Sequence, residues 1–275
     1  MSKIKNTFAL AGSSWSVLKA DKALLVLPLL SGIASIIVAL SFAFPLLLTG
    51  GTEEPTPVTY VLLFAMYLAL AFVTIFFNTA LVTGAYERLR GGDPTLASAL
   101  GGAVAKLGRI LPWAIVSATV SVLLQAIQQR GGTAGRGVAG AAGLAWSMVT
   151  FLVIPVFVVE DIGVVAAVKR SGALFKQTWG ENVTARVGFG LVGFLLALPA
   201  VLLVVAGLAL GTVGAGIGIG LAVLWIIAVT LVMAALSSIF QTALYLHATQ
   251  QDEPGGYFQP AQFQQAFERK GAATS

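Results

Sequence analysis

Residues 187–251 read VGFGLVGFLLALPAVLLVVAGLALGTVGAGIGIGLAVLWIIAVTLVMAALSSIFQTALYLHATQQ, a run with no Asp, Glu, Lys or Arg and with His247 as its one histidine. A helix crosses the roughly 30 Å hydrocarbon layer of a bilayer with about 20 apolar residues, so a run of this length holds two crossings. Pro199 and the glycines Gly211, Gly214, Gly216, Gly218 and Gly220 place the break between them near its middle.

Five further runs elsewhere lack these charges, and together they predict spans at 24–48, 59–84, 110–127, 137–159, 187–209 and 216–246. Composition agrees: 57% of the 275 residues are hydrophobic, 10% are charged and the mean hydropathy is +0.92. The expected fold is therefore an all-α, polytopic membrane helical bundle with six transmembrane helices arranged as three hairpins. A single integral membrane domain is expected over residues 1–251, followed by a tail at 252–275. The first apolar run follows 22 mostly polar or mixed residues, a longer lead than a cleavable signal peptide has, so the first span is expected in the mature protein.

Without cysteine there is no disulfide, thiolate metal site or cysteine nucleophile. The formal charge of +5 comes from cations beside the apolar runs rather than from one basic domain, which points to anionic lipid headgroups and not to nucleic acid. On the six-span pattern, 14 of the 16 Lys and Arg residues fall on the side of the termini and only Arg130 and Arg136 on the other. This bias predicts that both termini are cytoplasmic, in a prokaryotic cytoplasmic membrane.

A threefold internal repeat is expected, with units at about 1–92, 93–161 and 162–251, each a cytoplasmic amphipathic helix followed by a hairpin. Ile4, Phe8, Ala11, Trp15 and Leu18 share one helical face in the first, and Asp93-Pro94 caps the second, whose face carries Leu96, Leu100, Ala103 and Leu107. Val165, Val168, Gly172, Phe175 and Trp179 form the face of the third. Lys22, Lys106 and Arg186 stand at the mouths of the hairpins, Leu27-Pro28 matches Leu111-Pro112, and Phe77–Leu81 (FNTAL) matches Phe240–Leu244 (FQTAL). Trp15, Lys19, Lys22, Lys106, Arg109, Lys169, Arg170, Lys176, Trp179 and Arg186 are the candidates for contact with the lipid interface, where aromatic rings sit at headgroup depth and cations meet anionic lipid. Packing of these helices against the bundle is the favoured role, ahead of lipid sensing or docking of a protein partner.

Chemistry-bearing motifs are few. One histidine rules out a zinc-protease His pair, no Gly-x-Ser-x-Gly occurs, and the acid pairs Glu53-Glu54 and Glu160-Asp161 read as solvated span-end charges. Gly135–Gly140 and Gly188–Gly193 match Gly-x-Gly-x-x-Gly, but neither lies in a βαβ unit, and helix packing explains them better. No enzyme activity, cofactor or metal is expected. Asn78, Thr79, Gln241 and Thr242 are the intramembrane polar candidates, accompanied by Gln125 and Thr150. Spans without ionisable groups argue against proton coupling, whereas Pro28, Pro45, Pro155 and Pro199 leave a passive pathway open.

Trp15–Lys22 (WSVLKADK) leading into Leu27–Gly32 (LPLLSG), then Arg170-Ser171, Thr178–Asn182 (TWGEN) and Phe240–Tyr245 (FQTALY), give the chain its resemblance to a known group. It resembles an uncharacterised prokaryotic six-span integral membrane protein family, a domain of unknown function. It is also loosely similar to the membrane domain of glycerophosphodiester phosphodiesterases, without their catalytic domain. Leu246-His247 departs from the aromatic-basic pair that the resemblance leads one to expect after Tyr245. The resemblance implies a topology and no activity. The expected role is a non-enzymatic membrane scaffold or accessory subunit, with a protein partner or a homo-oligomer; the alternative is a facilitator of a lipid or small amphipathic solute. In the tail, Phe258, Phe263 and Phe267 punctuate a Gln-rich segment, with a short helix expected over 262–269.

Overall fold

A computed structural model describes residues 2–48, 56–179, 184–250 and 256–258. Among them are ten helices and no strand: α1 Ser2–Ala20, α2 Ala23–Leu48, α3 Pro57–Leu89, α4 Leu96–Ala105, α5 Leu107–Arg130, α6 Gly132–Val149, α7 Val153–Val159, α8 Val164–Trp179, α9 Thr184–Ala209 and α10 Gly211–Ala248. The spans over α2, α3, α5, α6 with α7, α9 and α10 are long and apolar enough to cross a membrane, the architecture of a multi-pass membrane protein. They form three hairpins, α2–α3, α5–α6/α7 and α9–α10, each preceded by one short helix, α1, α4 or α8. The expected break in the long apolar run falls at Leu210, where Gly211 adopts φ +80° and starts α10.

The fourth expected span, 137–159, is two helices. Pro155 has no N–H to donate to the carbonyl of Phe151 and crowds it, and α6 stops at Val149, whereas α2, α5 and α9 continue through their prolines. Position 155 falls in the first turn of α7, where a missing N–H costs nothing. The opened backbone is satisfied from α8: the Leu152 N–H donates to the buried Ser171 Oγ at 3.0 Å.

The second short helix starts at Leu96 rather than at Asp93-Pro94. Thr95 is its N-cap, exchanging hydrogen bonds with Ser98, while Asp93 pairs with Arg88 at 3.2 Å; Leu107 belongs to α5. The buried faces of α1 and α8 are rotated from those expected. In α1, Ala11 and Leu18 are buried as expected, but Leu10, Ser14 and Val17 join them and Trp15 is turned outward, 41% exposed. In α8, Ala167, Ser171 and Leu174 are buried, whereas Val165 is 70% exposed.

Burial is concentrated on the side of the termini. Leu24 and Leu27 of α2, Ala80–Leu89 of α3, Ile110, Trp113 and Ala114 of α5, Val153–Phe157 of α7 and Ala235–Leu246 of α10 supply most of the core, joined by Phe258 of the tail. The far halves present Leu40, Phe44, Leu47, Val61, Leu123, Leu208 and Val213 outward, as lipid-facing helices do. At 1.5 Å per residue α3 and α10 are about 50 and 57 Å long, roughly 20 and 27 Å more than the hydrocarbon layer. Their surplus is the buried part, around which α1, α4, α7 and α8 pack.

Close backbone approach holds the third hairpin together. A Cβ at Gly218 would lie 2.5 Å from the Leu203 carbonyl oxygen and 2.9 Å from Gly207 Cα, so α9 and α10 touch backbone to backbone there.

Candidate functional site

Two arrangements bring together polar groups that lie far apart in sequence. The first is a charge hub built on Glu160 and Asp161 in the turn between α7 and α8. Asp161 adopts φ +56°, a left-handed conformation that Asp tolerates, and the two carboxylates engage different parts of the bundle. Asp161 binds Lys106, which caps α5, and Arg109 Nη1 at 2.8 Å. Arg109 also donates to the Asp161 carbonyl at 2.7 Å and the Ile162 carbonyl at 3.1 Å. The hydrogen bond from Lys106, reinforced by the charge of Arg109, holds the Asp161 carboxyl below the usual aspartate range. Glu160 Oε1 accepts from Arg170 Nε at 2.9 Å and from the fully buried Tyr245 hydroxyl at 3.0 Å. One dipeptide thus ties α5, α8 and α10 to the end of α7.

The second arrangement is a cavity of about 360 Å³ between α2, α3 and α10. Pro28, Ser31, Gly32 and Ser35 line it from α2, sharing one face by their 3, 4 and 7 residue offsets. Thr74, Phe77, Asn78 and Leu81 come from α3, and Thr230, Ser237, Ser238 and Gln241 are among those from α10. The Ser238 hydroxyl donates to Asn78 Oδ1 at 2.8 Å, and Gln241 Nε2 donates to Ser237 Oγ at 3.2 Å. Thr74 and Thr230 are exposed at one end of the cavity and bond back to their own helices, at Leu70 and Ile226.

The sequence candidates divide accordingly. Asn78 and Gln241 meet at the cavity. Their neighbours Thr79 and Thr242 do not: both are fully buried and donate to the carbonyls of Ile75 and Ser238, four residues back. Thr150 likewise bonds back to Trp146, and Gln125 accepts from the Tyr67 hydroxyl at 3.3 Å. Among the interface candidates, Lys106, Arg109 and Arg170 take part in the charge hub. Lys22, Lys169 and Lys176 are exposed, and the Lys19 ammonium lies 5.5 Å from the centre of the Trp15 ring. The side chains of Trp179 and Arg186, the pair Glu53-Glu54 and the segment 262–269 lie outside the described residues.

Sequence reading did not single out Ser31, Ser35, Ser237 and Ser238. The signal was present on α2, where small and hydroxyl residues recur on one face of an otherwise apolar helix. It also took Glu160 and Asp161 for solvated charges, since their partners lie up to 85 residues away.

Among known families, the model for a family of unknown function (DUF6159) matches residues 57–256, from the start of α3 into the tail. No curated protein and no solved structure matches the chain, and the likeness to the phosphodiesterase membrane domain finds no support there.

Proposed function

The chain belongs to the DUF6159 family of unknown function, and from that premise we propose that it is a non-catalytic membrane protein that lodges the polar head of a lipid or small amphipathic solute in the cavity between α2, α3 and α10. The observation that carries the proposal is the depth of the cavity. Counted from the helix ends opposite the termini, about 20 residues exhaust the hydrocarbon layer near Leu29 of α2, Phe76 of α3 and Thr230 of α10. On α3 and α10 most of the lining, from Phe77 to Leu81 and from Leu231 to Gln241, lies beyond that count, whereas Ser31, Gly32 and Ser35 of α2 fall within its last seven residues. The site therefore straddles the boundary between hydrocarbon and headgroups on the side of the termini, the cytoplasmic side by the Lys and Arg bias. A head held there leaves its apolar part beside the exposed far halves of α2 and α10.

A facilitator of lipid or amphiphile movement uses such a site as its station, and the absence of charge in the lining fits passive rather than proton-coupled movement. Proteoliposomes loaded with a fluorescent single-chain amphiphile test this. Equilibration across the bilayer is expected to run faster than in protein-free vesicles, and equal rates would sink the facilitator reading. Retention of any lipid in the cavity is a separate question, taken up below.

The scaffold or accessory-subunit reading draws on a different feature. The helices α1, α4 and α8 are fastened to the bundle, and Lys22 in the turn after α1 together with Lys169 and Lys176 of α8 is exposed, a fixed basic surface suited to anionic headgroups or an acidic partner. Copurification of a stoichiometric protein from the native membrane would favour this reading over the first.

A further inference from the structure

We infer that the cavity selects an uncharged lipid whose head carries hydroxyl or amide groups, and that Gly32 is the residue that keeps room for it; the inference rests on the cavity reading above. The selection follows from what the walls offer. No Asp, Glu, Lys or Arg lines the cavity. A phosphate or ammonium drawn into it would lose water and meet no counter-charge, the costly case for a buried ion.

A head of hydroxyls or amides finds partners instead. The Ser31 and Ser35 hydroxyls make no hydrogen bond among the described residues, and neither does the amide nitrogen of Asn78, whose oxygen is taken by Ser238. Gln241 uses one N–H toward Ser237 and keeps its carbonyl oxygen. Both donors and acceptors therefore remain in the deep part of the site. At the exposed end the Thr74 and Thr230 hydroxyls are spent on their own helices, which leaves an exit suited to an apolar chain. A volume of about 360 Å³ leaves room for a small head and not for a large sugar polymer.

Gly32 is the second observation. Glycine inside a helix costs about 0.8–1 kcal/mol relative to alanine; close packing accounts for it at some positions of this chain, others such as Gly216 and Gly220 face open space, and Gly32 is the glycine that lines the cavity. A Cβ at Gly84 would stand 2.8 Å from Leu24 Cδ2, and one at Gly207 would stand 2.6 Å from the Gly214 carbonyl. At Gly32 a Cβ meets nothing within 4 Å. No packing partner requires glycine there, and what the missing side chain leaves is cavity.

The test uses the full-length protein in detergent, offered equal amounts of diacylglycerol and of phosphatidylglycerol with the same acyl chains, with retained lipid read by native mass spectrometry. The wild type is expected to retain diacylglycerol over phosphatidylglycerol by about tenfold. Gly32→Leu fills open space without a backbone clash, so it should keep its thermal stability while retention of diacylglycerol falls to background. Gly216→Leu, also in open space but far from the cavity, should retain lipid as the wild type does. Equal or preferential retention of phosphatidylglycerol, lost in Gly32→Leu, would overturn the selectivity and leave the cavity reading standing. Retention of neither lipid, or retention indifferent to Gly32→Leu, would overturn both.

Discussion

Gly216 and Gly218 stand two residues apart in α10, and alanine at the two positions is expected to shift stability in opposite directions. A Cβ at Gly216 meets nothing within 4 Å, so Gly216→Ala should gain the helix-propensity difference of about 0.8–1 kcal/mol. A Cβ at Gly218 would lie 2.5 Å from the Leu203 carbonyl oxygen, 2.9 Å from Gly207 Cα and 3.3 Å from Gly207 N. These are backbone atoms with no rotamer to swing aside. To reach an ordinary contact near 3.5 Å, α9 has to withdraw by about 1 Å, forfeiting dispersion along the crossing. Overpacking of this kind costs about 1–3 kcal/mol. Since the propensity gain is common to both variants, the difference between them isolates the packing cost, and Gly218→Ala should be the less stable by about 1–3 kcal/mol. Urea unfolding in mild detergent, followed by far-ultraviolet circular dichroism, measures it. Equal stability, or a more stable Gly218→Ala, would refute the backbone contact between α9 and α10.

The charge hub and the helix break yield three more expectations. In Asp161→Asn, stability should fall at neutral pH. Because the folded-state pKa of Asp161 lies below its unfolded value near 3.9, its contribution is present above that value and is lost as the pH falls through the folded pKa. Thermal unfolding of variant and wild type should therefore converge in acid. Ser171→Ala leaves the buried Leu152 N–H without a partner and should cost about 1–3 kcal/mol in denaturant unfolding. Tyr245→Phe removes the hydroxyl bonded to Glu160 and should cost about 1.5–3 kcal/mol by the same measurement, with helix content unchanged.

The runs that lack charge were enough to place the long helices, because a segment that must satisfy its own backbone in lipid has little choice but helix. Positions that depend on a partner were harder to read. The break at 150–152 was hidden because Trp146–Val159 carries no charge and only Pro155 marks it. The periodicity in α8 counted Val165 as inward. The buried face is instead centred on Ser171, whose hydroxyl takes the N–H freed by that break, a tertiary demand that local hydrophobicity does not encode. Asn78 and Gln241 were found through the matching FNTAL and FQTAL segments. Local sequence could not separate them from Thr79 and Thr242, because a threonine can spend its hydroxyl on its own helix and the longer amides cannot do so readily.

The turns at the far ends of the second and third hairpins bear on how the protein meets its surroundings. Gly131 alone joins α5 to α6, and Leu210 alone joins α9 to α10. Among the described residues, these two turns offer an antibody, a protease or a modifying enzyme working on that side almost no backbone to hold. For these two hairpins the opposite compartment consequently finds few handles.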